Sequence, residues 1–151
     1  MESKEVLNMK PGRYLDALIA ENVLNWKPWI VKRGEYTHFV WQKHGQPEPY
    51  KQYRDWEKQK DGYTQVAGSI YDPMKHVEDG LPRFSAELNR AWEVINFLHG
   101  LGWASSVEND LHAYCCRFDN IQGIYKPVVA YGRSSAPLAI CRAALLIACE
   151  K

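Results

Sequence analysis

The strongest pattern along the chain is a run of apolar residues at helical spacing near its end, in YGRSSAPLAICRAALLIACEK. Spacings of three, four and three residues place the apolar positions on one helical face. Ser134 or Ser135 can cap this helix, and Pro137 is tolerated in its first turn. The positions on the predicted buried face are Leu138, Cys141, Leu145 and Ala148, widened by Ile140, Ala144 and Ile147.

Two further helices are predicted upstream. The first follows Pro11 and Gly12 and runs for about three turns, with Leu15, Leu18, Ile19 and Val23 at helical spacing. The second lies in FSAELNRAWEVINFLHGLGW, where Ser85 is the expected N-cap and Gly100 and Gly102 end the helix. Its expected buried stripe consists of Leu88, Ala91, Trp92, Ile95 and Leu98.

Alternating positions predict strands between and after these helices. In LHAYCCRF, Leu111, Ala113 and Cys115 alternate with His112, Tyr114, Cys116 and Phe118, so the two adjacent cysteines face opposite sides of a sheet. WASSV before it and YKPVVAYG after it complete an antiparallel meander. Earlier in the chain, WIVKRGEYTHFVWQK favours a hairpin around Gly34.

These elements predict one α+β domain over residues 1–151. It is a layered sandwich of an antiparallel sheet on which three main helices pack, N-terminal, middle and C-terminal. Residues 27–82 are interpreted as an elaborated insertion or loop and hairpin region. Its aromatic residues are expected to form an interface, a lid or simply local packing, and they are Trp29, Trp41, Tyr50, Tyr53 and Trp56.

Charge and composition narrow the classes of partner. Apolar residues make up 46% of the chain, and 19 Lys and Arg against 18 Asp and Glu leave a net charge of +1. This balance argues against nonspecific binding to a nucleic-acid polymer or a membrane surface, both of which need a basic excess. We see no secretory leader and no apolar run of the ~20 residues that span a bilayer, so a cytoplasmic protein is expected.

Cysteine and histidine spacing gives no metal signature. The four cysteines, at positions 115, 116, 141 and 149, form no C-x-x-C pair and are expected to be reduced. We therefore expect no metal and no cofactor. Five scattered histidines match no catalytic motif, and the most suggestive spacing, Asp72 with His76, is a weak signal for a general base. The protein is expected not to be an enzyme.

Four segments carry a resemblance to a known family. They are residues 15–20 (LDALIA), Ser85 followed by residues 91–94 (AWEV), the aromatic strand at residues 111–118 (LHAYCCRF), and residues 136–145 (APLAICRAAL). In this order they resemble the phage ABA-sandwich domain family of bacteriophages. Phe84 stands where the family usually has tyrosine, and residues 27–82 are longer than the linker that the family has there.

The resemblance implies a function in immune evasion. The family's layout is similar to that of the Thoeris anti-defence sponges, phage proteins that sequester the cyclic ADP-ribose isomer made by a bacterial immune sensor. It implies binding of a cyclic ADP-ribose isomer or a cyclic oligonucleotide without cleavage, by a homo-oligomer in the host cytoplasm. The alternatives are a phage inhibitor that binds a host defence protein and a phosphodiesterase that degrades the signal.

Such a ligand combines an adenine face with phosphates, which suits an aromatic ring, an arginine and the start of a helix. The starts of the middle and last helices both have this combination, and they would frame one pocket if both open at the same sheet edge or across a dimer interface. The candidate ligand-binding residues are Arg83, Phe84 and Ser85 before the middle helix, and Tyr131, Arg133 and Ser134 before the last. An ordinary capped helix with a solvated arginine remains the alternative at each start.

Overall fold

The last helix lies at the centre of the fold. A computed structural model describes residues 1–66 and 80–150. In it α5, Ala136–Cys149, is buried from Pro137 to Ile147 except for Arg142. Because α5 is apolar on nearly every side, it contacts secondary structure on every side rather than lying on the surface.

Helices from three parts of the chain surround α5. They are α1 (Ser3–Asn8), α2 (Arg13–Leu18) with the π-helical segment Ile19–Val23 that continues it, and α4 (Leu88–Gly100). The predicted N-terminal helix is thus present, but its second half is wider than an α-helix. Asn25 ends it in a left-handed conformation, with φ of 55°.

Within residues 1–66 and 80–150, the strands form two three-stranded antiparallel sheets, where the sequence suggested one. The first sheet has the order β2-β1-β3, from Lys27–Arg33 (β1), Tyr36–Gln42 (β2) and Tyr63–Gln65 (β3). The predicted hairpin at Gly34 joins β1 to β2, with Arg33 paired to Tyr36. Between β2 and β3 lie two short 3₁₀ turns, Pro49–Gln52 and Lys60–Gly62, and one short helix, α3, Trp56–Gln59.

The second sheet is the predicted meander. Its order is β4-β5-β6, from Trp103–Asn109 (β4), Tyr114–Asn120 (β5) and Val128–Tyr131 (β6). The strand β5 begins at Tyr114 because Leu111 to Ala113 form a turn, so the expected strand was too long at its start. Cys116 is buried and Cys115 is half-buried, as the alternation predicted.

The inner faces of both sheets and the helices share one main core. Its largest fully buried members are Leu15, Ile19, Phe39, Phe84, Ile95, Leu98, Phe118, Ile140, Leu145 and Ile147. The fold class is therefore the predicted α+β sandwich. Within the described residues, no helix has both the length and the apolar character needed to cross a membrane.

Two expectations for the middle helix were wrong. Ser85 is not its N-cap, because α4 begins at Leu88 with Glu87 in the cap position. With that start, the buried face runs through Ala91, Val94, Ile95 and Leu98. Leu88 and Trp92 lie at the flank of this face and are 49% and 44% exposed.

Candidate functional site

Arg133 lies between the last strand and the last helix. Its carbonyl accepts a hydrogen bond of 2.7 Å from the Tyr114 N–H, and the Gly132 N–H donates to the Tyr114 carbonyl at 3.0 Å. These bonds extend the β5–β6 pairing and hold Arg133 in a left-handed conformation, with φ of 47°. A non-glycine residue in this region costs on the order of 1 kcal/mol, and such residues concentrate at functional sites. The Arg133 side chain is exposed.

The start of α5 has already used most of its backbone donors. Ser135 is the N-cap: its hydroxyl accepts from the Leu138 N–H at 3.3 Å, and its carbonyl accepts from the Ala139 N–H at 3.2 Å. Pro137 has no N–H to give. An anion at this helix start would therefore depend on the side chains of Arg133 and Ser134 and on the helix dipole.

A turn opposite Arg133 completes an open depression of about 690 Å³. Residues 109–114, Arg133 and Ser134 line it, and we call it the Arg133 depression. The turn is closed by Asp110, whose Oδ1 accepts hydrogen bonds of 2.8 Å from the N–H groups of His112 and Ala113. These two bonds lower the pKa of Asp110, so its carboxylate is committed to shaping the turn.

A second arginine lies behind the depression. The Arg142 guanidinium donates to the Tyr131 carbonyl at 2.7 Å and to the Met9 carbonyl at 2.5 Å and 3.0 Å, which ties α1 to the end of β6. Burial, and after it the positive charge of Arg133, lowers the pKa of Arg142. The positive charge of Arg142 thus adds to that of Arg133 in this region.

The structure separates the six predicted site residues into two groups. Arg133 and Ser134 line the Arg133 depression, whereas Tyr131 is 54% exposed on the outer face of the second sheet and does not line it. The residues before α4 are also absent from its lining. Of these, Arg83 is exposed in the turn that leads into the helix.

Phe84 and Ser85 are structural residues, which corrects their expected contact with a ligand. Phe84 is fully buried and packs edge-on against Trp26, with ring centroids 5.7 Å apart. Ser85 is also fully buried; its N–H donates to Asp16 Oδ1 at 2.8 Å and its hydroxyl accepts from the Gly12 N–H at 2.9 Å. They therefore attach the start of α4 to α2 and have no exposed surface for a ligand.

Sequence reasoning missed three residues that shape this region. Asp110 was not singled out and His112 was assigned to a strand, although an Asp followed by a short turn is typical of side-chain-to-backbone closure. Arg142 was not singled out. It is the one charged residue within the apolar run of residues 136–149, and such a residue is expected to be hydrogen-bonded where it is buried.

The expectations about catalysis and metal binding concern residues outside the Arg133 depression. The Asp72–His76 spacing lies outside the described residues. Within residues 1–66 and 80–150, no group of three or more His, Cys, Asp or Glu comes together as a metal site. All four cysteines are unbridged, and burial raises the pKa of Cys116 to about 12.

Comparison with known proteins gives one match. The model of a family described as the phage ABA sandwich domain matches residues 17–145, which include both sheets, α4 and most of α5. Searches of curated proteins and of solved structures found no match.

Proposed function

The chain belongs to the phage ABA sandwich domain family, and we propose that it binds a cyclic nucleotide immune signal and sequesters it without cleaving it. The ligand class is a cyclic ADP-ribose isomer or a cyclic oligonucleotide. The protein would act in the cytoplasm of the infected bacterium, where it lowers the concentration of the signal. The resemblance in layout to anti-defence sponges supports this class of function, and the Arg133 depression supplies the anion-binding chemistry.

The observation that carries the proposal is the Arg133 guanidinium. It is exposed beside the start of α5, its backbone is held in a left-handed conformation, and no hydrogen bond or ion pair from the described residues engages it. A guanidinium can donate two parallel hydrogen bonds to a phosphate, and the Ser134 hydroxyl next to it can donate a third. The α5 dipole adds a partial positive charge at the same place.

The proposal includes a second copy of the chain. A signal held at nanomolar affinity needs about −12 kcal/mol of binding free energy, which requires burial of the ligand on most sides. The depression is open, so a symmetry-related copy that covers it would supply the missing walls. Light scattering on the purified protein, with and without ligand, measures this assembly directly.

Thermal unfolding against cyclic ADP-ribose isomers and cyclic di- and trinucleotides tests the function. A ligand at ~1,000 times its Kd stabilises the folded state by about 4 kcal/mol, which raises Tm by several degrees for a chain of this size. We expect the ligand to be recovered intact after heating. Recovery of a cleaved product would make the protein a phosphodiesterase, and no shift across the panel would leave binding to a host protein as the remaining alternative.

Three variants at two arginines assign the site. Arg133→Ala removes the guanidinium and is expected to abolish the Tm shift, while Arg83→Ala, an exposed arginine at the start of α4, keeps it. Arg133→Gly also removes the guanidinium but relaxes the left-handed backbone, so loss of binding in that variant cannot be attributed to strain. Equal binding by Arg133→Ala and the unaltered protein would remove the Arg133 depression from consideration.

A further inference from the structure

A second cavity lies on the first sheet, far along the chain from Arg133. It occupies about 550 Å³ between β2 and residues 46–53, with Tyr63 of β3 also lining it, and we call it the first-sheet groove. Its size falls in the range of small-molecule sites. Its walls combine the aromatic side chains of Tyr53 and Tyr63 with prolines and amides, while the ring of Trp41 packs on the main core behind β2.

The groove is held open by packed residues. Tyr50 lies edge-on to both Trp29 and Tyr63, with ring centroids 6.0 Å and 5.8 Å apart, which anchors the segment to the sheet. The Gln42 amide accepts from Trp29 Nε1 at 2.9 Å and donates to the Gln46 carbonyl at 2.7 Å. These contacts connect β2 to the start of the segment, so the cavity exists without a ligand to form it.

Tyr53 has a hydroxyl proton to donate. Its oxygen accepts from Arg33 Nη2 at 2.5 Å and from the Tyr63 hydroxyl at 3.3 Å, which fills its acceptor capacity. Among the described residues, the hydrogen bonds of this hydroxyl have it as acceptor, so its own proton can be given to a ligand. The bonds from Tyr63 and Arg33 also lower the pKa of Tyr53, so it is a stronger donor than an ordinary phenol.

Charge selects the kind of ligand. The Lys and Glu side chains that line the groove, Lys51 and Glu48, pair with each other at 2.9 Å. Apart from His38, the lining therefore offers an anion no unpaired cation. Arg33 covers one face of the Tyr53 ring, with its guanidinium carbon 5.1 Å from the ring centroid, so a ligand meets the other face or the edge.

We propose that the first-sheet groove binds an uncharged planar heterocycle of nucleobase or nucleoside size. Its ring packs against the aromatic walls, and its carbonyl oxygen or ring nitrogen accepts a hydrogen bond from the Tyr53 hydroxyl. This site does not depend on the Arg133 depression and recognises different chemistry, a neutral ring rather than a phosphate.

Saturation-transfer NMR with adenosine, guanosine and uridine tests this site, because these probes carry no phosphate. We expect at least one to bind and to quench tryptophan fluorescence during titration. Tyr53→Phe keeps the ring but removes the donor, and it should weaken that nucleoside about 5- to 10-fold. The matched control, Tyr36→Phe, alters an 80% exposed tyrosine of the same sheet outside the groove and should leave binding unchanged.

Three results would overturn the proposal. They are no binding of any nucleoside, equal binding by Tyr53→Phe, and binding of a neutral disaccharide such as maltose in place of the nucleosides. If Tyr53→Phe loses its near-ultraviolet circular dichroism, Gln52→Trp replaces it, since Gln52 is exposed at the groove and a bulky side chain there should block entry. Arg133→Ala should not affect nucleoside binding, so this site and the proposed phosphate site fail or succeed separately.

Discussion

The two sheets differ in what their outer faces carry. In the second sheet, buried Cys116 and Phe118 alternate with Arg117 and Asp119, which form an exposed ion pair at 2.7 Å. In the first sheet, Ile30 packs toward the main core, while Trp29 and Val31 on the other face join a second apolar cluster. This second apolar cluster consists of Trp29, Val31, Tyr50 and Tyr63.

This difference in outer faces explains why the strands of the second sheet alternate in sequence and those of the first sheet do not. A strand with one solvated face alternates in sequence, and β5 was predicted for that reason. A strand covered on both faces has a continuous apolar run, as in WIV of β1, which by itself fits a strand or a buried helix equally well. Residues 46–62 cover the second face of the first sheet, so β1 was predicted from the turn at Gly34 and not from an alternating pattern.

Replacing one glycine in each sheet by alanine should give the largest difference between the sheets in the free energy of unfolding. Gly132 ends the second sheet, and a Cβ there would overlap the backbone of Ser135 and Ala139. Because backbone cannot move aside as a flexible side chain can, Gly132→Ala should destabilise the fold by about 3 kcal/mol or more. Urea denaturation measures the free energy of unfolding.

Gly34 in the first-sheet hairpin provides the control. An added Cβ there meets nothing within 4 Å, and only the left-handed φ of 60° opposes it. Gly34→Ala should therefore cost about 1 kcal/mol. Equal losses in the two variants would contradict the tight approach of α5 to the end of β6.

A buried and an exposed aspartate, Asp16 in the main core and Asp119 on the second sheet, should respond to pH in opposite directions. Asp16 in the main core is 1% exposed, and burial raises its pKa above that of the unfolded chain despite hydrogen bonds from Ser85 and Arg13. The folded state then binds the proton more tightly, so stability is highest below about pH 3.9 for this group and falls as pH rises through the raised pKa. The loss is about 1.4 kcal/mol for each unit of pKa difference.

Asp16→Asn keeps an acceptor for the Ser85 N–H but cannot ionise. Its free energy of unfolding should change less between pH 4 and 7 than that of the unaltered protein, as measured by denaturation at several pH values. Asp119→Asn is the opposing control, because hydrogen bonds from Arg117 lower the pKa of that exposed carboxyl. An identical pH profile for Asp16→Asn would show that Asp16 titrates as it does in the unfolded chain.

The smallest expected effect separates two neighbouring serines. Ser135→Ala removes the N-cap of α5 and should cost about 1 kcal/mol, while Ser134→Ala, exposed and outside the cap, should stay within ~0.5 kcal/mol. Thermal unfolding of both variants without ligand measures the difference. A larger loss for Ser134→Ala would reverse the cap assignment and weaken the assignment of Ser134 to a ligand.

The candidate site was only partly predictable because similar sequences had different surroundings. Arg83-Phe84-Ser85 and Tyr131-Gly132-Arg133-Ser134 both combine an aromatic, an arginine and a serine ahead of a helix. Phe84 and Ser85 are buried because Trp26 and Asp16, distant in sequence, pack against them. Arg133 remains exposed because the 109–114 turn stands opposite it without covering it.

Local spacing alone determined the three main helices, the meander, the hairpin at Gly34 and the α+β class, because helical and strand periodicities require only neighbouring residues. The tertiary structure alone decided three features. The described strands form two sheets, Ser85 is hydrogen-bonded to Asp16 instead of capping α4, and a groove opens beside Tyr53. Each of these depends on residues more than ten positions apart, and sequence periodicity carries no record of which distant segments meet.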